Sequence, residues 1–557
     1  MSEALEVAAT GAVAEAVASA VPALVSERFA GRLFDKDATL WGEAAEKEAS
    51  VRLGWVDLHR SSRPLLGAIK ALRSELADEG ITRVALCGMG GSSLAPEVIC
   101  ATHGVELTVV DSSHPDQVRT ALGGEPSGTV VVVSSKSGST VETDSQRRAF
   151  EDAFRRAGLD PTRHMVFVTD PGSPLDAESR AAGYRVVNAD PDVGGRYSAL
   201  TAFGLVPSGL AGADIETLLD EAESVADLLA ADDEANPGLR LGAALAASEP
   251  LRDKMVLVDD GSPLEGFPAW AEQLVAESTG KNGTGLLPVV VADTTAPEVA
   301  LPPPDVTVVR LTGDVDDEPV DLPTASDDEE EPAPAPNGAV LGSDVWVSGP
   351  LGAQLLLWEV ATAVAGRLLG IDPFDQPDVE SAKKAARSML EGTPDRSPAR
   401  STDGAVEIRV PGDAGWFGDA ADLPSAVAAL LDQLDGERGY VAVTAYLDRI
   451  GLPELEDVRR ALAVRTRRPV TFGWGPRFLH STGQFHKGGP PVGVFLQITG
   501  EPRADLDVPG REFSFGTLIA AQAAGDAQVL ADLGRPVLRL HVTDPDVGLR
   551  QVVEALA

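Results

Sequence analysis

The sequence is poor in residues that build covalently stapled or metal-held frameworks. Cys87 and Cys100 are the only cysteines among its 557 residues. Two cysteines exclude a disulfide framework and a four-cysteine metal site. Cys87 lies in an apolar run and is predicted to fill the core, and such low cysteine use is typical of a cytoplasmic protein. No run of about 18 apolar residues occurs, so we expect no membrane-spanning helix. The Ala/Val-rich first residues carry acids and lack a basic region, which predicts an amphipathic helix and not a signal peptide.

Basic residues are also few relative to acidic ones. The chain has 46 Lys and Arg against 86 Asp and Glu, a net charge of −40. Nucleic acid is therefore not expected as a partner, because phosphate-backbone binding needs a basic surface. Any anionic ligand would have to be held by local cations and N–H groups against the overall field.

Strands and helices alternate along most of the chain. Residues 1–78 predict a helical lead-in, after which short apolar strands alternate with helices and short links. This alternation predicts parallel sheets covered on both faces. The predicted fold class is α/β, with two doubly wound parallel-sheet domains over 79–212 and 213–391 and a further α/β domain over 400–557. Within the second domain, the acidic, Pro/Ala-rich segment 314–338 predicts a disordered or extended surface loop, to which we assign no catalytic role.

Two glycine- and hydroxyl-rich loops follow strands of the first domain. They are Gly88–Ser93, and Ser134–Thr140 after the buried strand Val130–Val133. Both lie at carboxyl ends of strands, where ligands of such sheets bind, and the second precedes a helix start. Ser139 and Glu142 have capping-box spacing. We interpret the pair of loops as a phosphate site; the alternatives are ordinary Ser-rich turns and a nucleotide site, for which G-M-G-G-S-S has the wrong spacing.

Three charged residues further along are candidates for chemistry. Arg196 follows two glycines, Glu277 falls at the end of a predicted helix, and Lys383 lies within another. A carboxylate at a helix C-terminus is disfavoured by the dipole, so Glu277 indicates either tolerated surface chemistry or a functional acid. The ordinary alternatives for the other two are a salt bridge for Arg196 and helix pairing with Glu380 for Lys383.

Five motifs in order over roughly residues 80–390 resemble the glucose-6-phosphate isomerase family. They are GMGGSS, SSKSGSTVET, GGRYS, ESTGKNGTGLLP and PFDQPDVESAK. The resemblance implies that the two sheet domains are tandem sugar-isomerase domains. The region 400–557 does not otherwise resemble the usual family body, and the layout is similar to the isomerase part of actinobacterial proteins.

The resemblance also implies roles for individual residues. The implied phosphate site consists of Ser135, Lys136, Ser137 and Thr140, with Gly91 and Ser92 nearby. Glu277 would be the base that moves a proton between C1 and C2, Arg196 would stabilise the enediolate, and Lys383 would assist ring opening. This agrees with the chemistry, since proton abstraction beside a carbonyl needs a positioned carboxylate and a cation for the developing oxyanion. No cofactor or metal is implied.

The chain departs from the family at the ring-opening histidine. In most members this histidine lies between the base and the lysine, but here no histidine occurs between His164 and His480. The segment HSTGQFHKGGP offers His480 and His486, and we favour His486 because T-G-Q-F-H is similar to the family's T-N-G-Q-H. A metal at this pair is the weaker alternative, because no cysteine or close carboxylate completes a ligand set. The histidine would come from the same subunit or from the partner in a homodimer.

The expected activity is therefore reversible isomerisation of glucose 6-phosphate and fructose 6-phosphate. One alternative is a non-catalytic regulator that binds a sugar phosphate with the same loops but does not need Glu277 or Arg196. Another is an isomerase that also accepts mannose 6-phosphate. The expected partner is a small hexose phosphate, with no nucleic acid and no membrane.

Overall fold

Three β-sheets organise the chain in the computed structural model, which describes residues 5–313, 344–378, 390 and 399–557. The acidic segment 314–338 and Lys383 lie outside the described residues. The lead-in begins with a strand, β1 (Glu6–Ala9), and continues with the helices Gly11–Ser26, Phe29–Phe34, Glu43–Ala49, Leu58–Ser61 and Pro64–Asp78. The prediction that residues 1–78 are helical is therefore wrong at β1, which pairs with β10 (Asp344–Ser348) of the second domain.

The first domain is a five-stranded, fully parallel sheet. Its strands are β2 (Arg83–Cys87), β3 (Thr108–Val110), β4 (Thr129–Ser134), β5 (Met165–Thr169) and β6 (Arg185–Asn188), in the order β3-β2-β4-β5-β6. Its helices are Leu94–Thr102, Pro115–Leu122, Val141–Arg156, Pro161–His164, Pro174–Ala181 and Ala202–Ala211. The four valines of β4 are buried, as expected for a central strand with both faces covered.

The second domain repeats this layered plan. Its strands are β7 (Lys254–Asp260), β8 (Leu287–Val291), β9 (Val306–Thr312) and β10 (Asp344–Ser348), in the order β1-β10-β9-β7-β8. Only the β1–β10 pair is antiparallel, with Val7 opposite Val347. The described helices are Ile215–Ala230, Pro237–Ala246, Phe267–Thr279, Pro297–Ala300 and Leu351–Leu369.

The C-terminal domain has a mixed six-stranded sheet. Its strands are β11 (Ser401–Asp403), β12 (Val406–Arg409), β13 (Tyr440–Tyr446), β14 (Val470–Trp474), β15 (Gly493–Gly500) and β16 (Val537–Val542), in the order β11-β12-β16-β15-β13-β14. The four strands from β16 to β14 are parallel, and β11 and β12 are antiparallel. Its helices are Leu423–Leu431, Val458–Thr466, Gly483–Gly488, Phe515–Asp532 and Pro545–Leu556. The predicted α/β fold class is confirmed.

The C-terminal domain packs firmly on the rest of the chain. One hydrophobic core spans the lead-in and the first two domains, and a separate cluster joins β7 and β8 to Tyr440, Phe485 and Phe495. Two nearly buried ion pairs cross the same boundary, Arg459–Glu298 at 2.7 Å and Arg468–Asp305 at 2.5 Å. Such pairs fix relative position more than they add stability, because both charges lose hydration on burial. None of the described helices is long and apolar enough to cross a membrane.

Candidate active site

The two predicted loops lie on one edge of the first sheet. The first follows β2 as a short 3-10 turn, Gly90–Ser92, and the second follows β4; these strands are parallel neighbours. A methyl group added to Gly91 would lie 1.9 Å from the carbonyl oxygen of Gly195, so only glycine permits the two turns to touch. This contact brings Arg196 to the same rim.

The second loop carries an exposed row of hydroxyls. Ser137 and Ser139 are exposed, with their hydroxyls 2.7 Å apart, and Ser135 Oγ accepts the backbone N–H of Gly138 at 3.1 Å. The helix begins at Val141, and Thr140 precedes it without a side-chain cap bond. The exposed hydroxyls of Ser137 and Ser139 therefore lie just before a helix start, where backbone N–H groups favour an anion.

Two details of this loop differ from expectation. The predicted capping box is wrong, because Thr140 and not Ser139 is the N-cap. The carboxylate of Glu142 instead lies 3.2 Å from the imidazole of His480. The ammonium of Lys136 pairs with Asp170 at 2.7 Å and donates to the carbonyl of Val193 at 3.0 Å.

Glu277 lies in the last turn of the helix Phe267–Thr279, as predicted, and is 6% exposed. Gln273, one turn earlier, donates to Glu277 Oε2 at 3.2 Å and to the carbonyl of His480 at 2.8 Å. A methyl group on Gly90 would meet both the Gln273 amide and His480 Cβ within about 3 Å. The first loop, the carboxylate and the C-terminal domain therefore converge at one point.

Arg196 is buried, and hydrogen bonds to three residues hold its guanidinium. Its guanidinium donates to Ser278 Oγ at 2.7 Å and to the carbonyls of Pro373 and Asp375 at 2.6 and 3.0 Å. It thus places a fixed positive charge beside the residue that follows Glu277.

A second cation holds the same segment. Lys281 donates to the carbonyl of Asp372 and to the carboxylate of Asp375, at 2.7 and 2.6 Å. Burial, with the charge of Arg196, lowers the pKa of Lys281 to about 8. Arg196 and Lys281 therefore anchor residues 372–375, which precede Lys383 in the chain.

The two candidate histidines have different surroundings. The side chain of His480 is 14% exposed and faces Glu142. His486 is buried, stacks on Tyr440 and is 3.0 Å from its hydroxyl through Nδ1. Burial, together with Lys487 and Arg535, lowers the pKa of His486 to about 3. These surroundings favour a packing role for His486 and a site role for His480, against the preference drawn from the motif.

Two functional candidates were missed in the sequence. Gln273 could have been found, because it lies four residues before Glu277 on one helical face. Glu142 has the spacing of a capping box, and its contact with His480 spans 338 residues, which no local pattern reports.

Comparisons with known proteins agree on one activity. No family model matches the chain. A probable glucose-6-phosphate isomerase of Natronomonas pharaonis is 30% identical over 402 residues, covering 66% of this chain and 92% of the relative. Glucose-6-phosphate isomerase of Rubrobacter xylanophilus is 30% identical over 393 residues, covering 60% and 89%.

Solved structures share the fold. A hypothetical protein of Thermus thermophilus aligns with a TM-score of 0.56 at 26% identity, over 70% of this chain and all of that one. A glucose-6-phosphate isomerase of Chlamydia trachomatis aligns with a TM-score of 0.51 at 20% identity, over 67% and 85%. The second likeness concerns the fold alone.

Proposed function

The chain belongs to the glucose-6-phosphate isomerase family, and we propose that it interconverts glucose 6-phosphate and fructose 6-phosphate through an enediolate. The observation that carries the proposal is the nearly buried Glu277 at a helix end, joined through Gln273 to the His480 segment. A carboxylate set against a histidine-bearing loop suits proton transfer beside a carbonyl.

The reaction would begin with ring opening. His480 would take the proton of the C1 hydroxyl, which becomes the aldehyde, and pass it to the ring oxygen as the C1–O5 bond breaks. We assign this step to His480 because its backbone lies at the convergence point and its imidazole contacts Glu142, whereas His486 is stacked on Tyr440 inside the core. Assistance from Lys383 remains a prediction, since this residue lies outside the described ranges.

Isomerisation would then follow on the open chain. The carboxylate of Glu277 would take the C2 proton, and the electron pair would move through C1–C2 to O1, giving an enediolate. Return of the proton from Glu277 to C1, with transfer of the O2 proton to O1, gives the ketose with its C2 carbonyl and C1 hydroxyl. The buried guanidinium of Arg196, held beside Ser278, would stabilise the negative charge of the enediolate. Its attraction for that charge is stronger in a buried site than in water, because the dielectric constant is lower there.

The phosphate would be held by the loop after β4. Ser135, Ser137 and Thr140 supply hydroxyls, and the helix start supplies N–H groups. Lys136 would brace this loop through Asp170 and add charge only at long range, which refines the role first assigned to it. Gly91 and Ser92 would line the other side.

A coupled assay tests the proposal. Purified protein supplied with fructose 6-phosphate should produce glucose 6-phosphate, detected with glucose-6-phosphate dehydrogenase, at a rate proportional to protein concentration. Binding without turnover would favour the regulator. Production of glucose 6-phosphate from mannose 6-phosphate would show that the enediolate can be reprotonated on either face of C2.

A further inference from the structure

Gln522 is a C-terminal-domain side chain that reaches into the first domain. It lies on the helix Phe515–Asp532 and is 3% exposed. Its Nε2 donates to Glu142 Oε1 at 2.6 Å, and its Oε1 accepts the hydroxyl of Ser113 at 2.5 Å. Both ends of the amide are thus engaged by residues that lie far earlier in the chain.

The same carboxylate oxygen faces the candidate ring-opening residue. Glu142 Oε1 lies 3.2 Å from His480 Nε2. One continuous hydrogen-bonded chain therefore runs through Ser113, Gln522, Glu142 and His480. Ser113 and Glu142 belong to the first domain, and Gln522 and His480 belong to the C-terminal domain, so the chain crosses the domain boundary at each step.

Donor and acceptor chemistry gives this chain a direction. An amide NH₂ can only donate and an ionised carboxylate can only accept, so the Gln522 amide group must face Glu142 as it does. Glu142 then accepts from His480 Nε2–H, and in a neutral imidazole this leaves Nδ1 as the nitrogen that can take up a proton.

We propose that Gln522 is a positioning residue for ring opening, which holds Glu142 as the fixed acceptor for His480. This rests on the proposed function. Gln522 touches the reacting groups only through Glu142. The hydrogen bond that Gln522 donates stabilises the charged carboxylate of Glu142 and fixes its orientation. The carboxylate in turn selects the His480 tautomer that carries its proton on Nε2.

Two other titratable groups lie near this hydrogen-bonded chain. Asp526, one turn along the helix from Gln522, pairs with Lys487 at 2.7 Å. Tyr446 lies close to both Asp526 and Glu142, and burial above all keeps the pKa of its hydroxyl well above the usual value. A carboxyl introduced at position 522 would face Glu142 directly, so repulsion between these two carboxylates would be the first cause of a raised pKa there.

Two substitutions separate a positioning role from a packing role. Gln522→Leu cannot donate, so we expect kcat/KM on cyclic glucose 6-phosphate to fall by about 10- to 100-fold, with a much smaller loss on an analogue that cannot cyclise. Gln522→Glu donates only while protonated, so its deficit in kcat/KM should be small near about pH 6 and approach that of Gln522→Leu near about pH 9.

Gln497→Leu is the matched control, because Gln497 is also buried and donates to the carbonyl of Ala523 on the same helix at 3.0 Å. It should stay within about threefold of the wild type.

A substrate-free measurement tests the contact by itself. Facing carboxylates repel, so the Tm of Gln522→Glu should fall further below the wild type as pH rises from about 6 to 9. The exchange Glu142→Gln with Gln522→Glu restores an amide–carboxylate pair and should recover that Tm. It should not recover turnover, because His480 would then face an amide.

Three results would overturn the inference: wild-type kcat/KM in Gln522→Leu, a wild-type pH profile in Gln522→Glu, or a double exchange no more stable than Gln522→Glu. Wild-type turnover with no effect at position 522 would refute the positioning role alone. Absence of wild-type turnover would refute the isomerase proposal and this role with it, and the Tm series would then decide only whether the side chains pair.

Discussion

His480 and His486 lie six residues apart in one segment, yet they face different parts of the molecule. His480 lies at the rim of the first sheet, against Glu142 and the Gln273–Glu277 pair. His486 lies inside the C-terminal domain between aromatic rings, where its imidazole stays neutral. The difference teaches that neighbours, and not the motif, decide which histidine can exchange protons with a substrate.

The largest expected effect on turnover comes from replacing Glu277, the carboxylate on the same side of the molecule as His480. Glu277→Gln keeps the shape and a polar contact with Gln273 but cannot accept the C2 proton. We expect kcat to fall by about 10⁴-fold with substrate binding largely retained. The coupled assay measures kcat, and calorimetric titration with a non-reacting sugar phosphate measures binding. Near wild-type kcat would rule out Glu277 as the base.

Replacing each histidine in turn tests the comparison itself. His480→Asn should lower kcat/KM on cyclic substrate by about 10²-fold and affect a non-cyclising analogue far less, because only ring opening needs the imidazole. His486→Phe, which keeps the aromatic packing, is the matched control and should stay within about threefold on both. A larger loss of kcat/KM on cyclic substrate in His486→Phe than in His480→Asn would assign ring opening to His486.

A smaller effect is expected at the phosphate loop. Thr140→Val removes one hydroxyl from the rim and should raise KM by about 10-fold with kcat little changed, because a hydrogen bond to a charged group is lost equally in the ground and transition states. Steady-state kinetics measure both constants. Thr162→Val, in the short helix Pro161–His164 of the same domain, is a suitable control. A fall in kcat with unchanged KM would contradict this role.

The smallest effect on turnover, and the clearest on stability, is expected at His486. His486→Phe leaves the Tyr440 hydroxyl unpaired, so the free energy of unfolding should drop by about 1–3 kcal/mol at neutral pH. The pKa of His486 is lowered on folding, so the wild type loses stability as pH falls from about 6.5, the unfolded value, towards about 3. The gap between the two proteins should therefore narrow with acid. Denaturant unfolding at several pH values measures it, and a constant gap would mean that His486 is not buried neutral.

Much of the fold follows from local pattern. Val-rich runs such as β4, each followed by a helix start, predicted the parallel sheets and placed both loops on one rim. Strands β9, β10 and β15 carried no prediction, since each borders an acidic or glycine-rich stretch that hides its limits. The alanines in and around β1 favour a helix in the sequence, but its backbone pairs with β10, and tertiary pairing overrides propensity in so short a segment.

The site was predictable only in part. Gly91, Arg196 and Glu277 each stand beside a recognisable strand or helix end, so their convergence could be expected. The contacts of Glu142 with His480 and Gln522 join three segments distant in sequence. Such contacts depend on how the C-terminal domain docks, which no spacing within one segment encodes.

The most direct test of the central claim is isomerisation of fructose 6-phosphate in D₂O followed by NMR. Proton transfer through Glu277 and an enediolate predicts that solvent deuterium accumulates at C2 of glucose 6-phosphate over repeated turnovers of the wild type, as the proton on Glu277 exchanges with solvent, and that Glu277→Gln gives no product above background. No deuterium at C2 after many turnovers at equilibrium, as a direct hydride shift would give, or labelled product at wild-type rates from Glu277→Gln, would contradict the account.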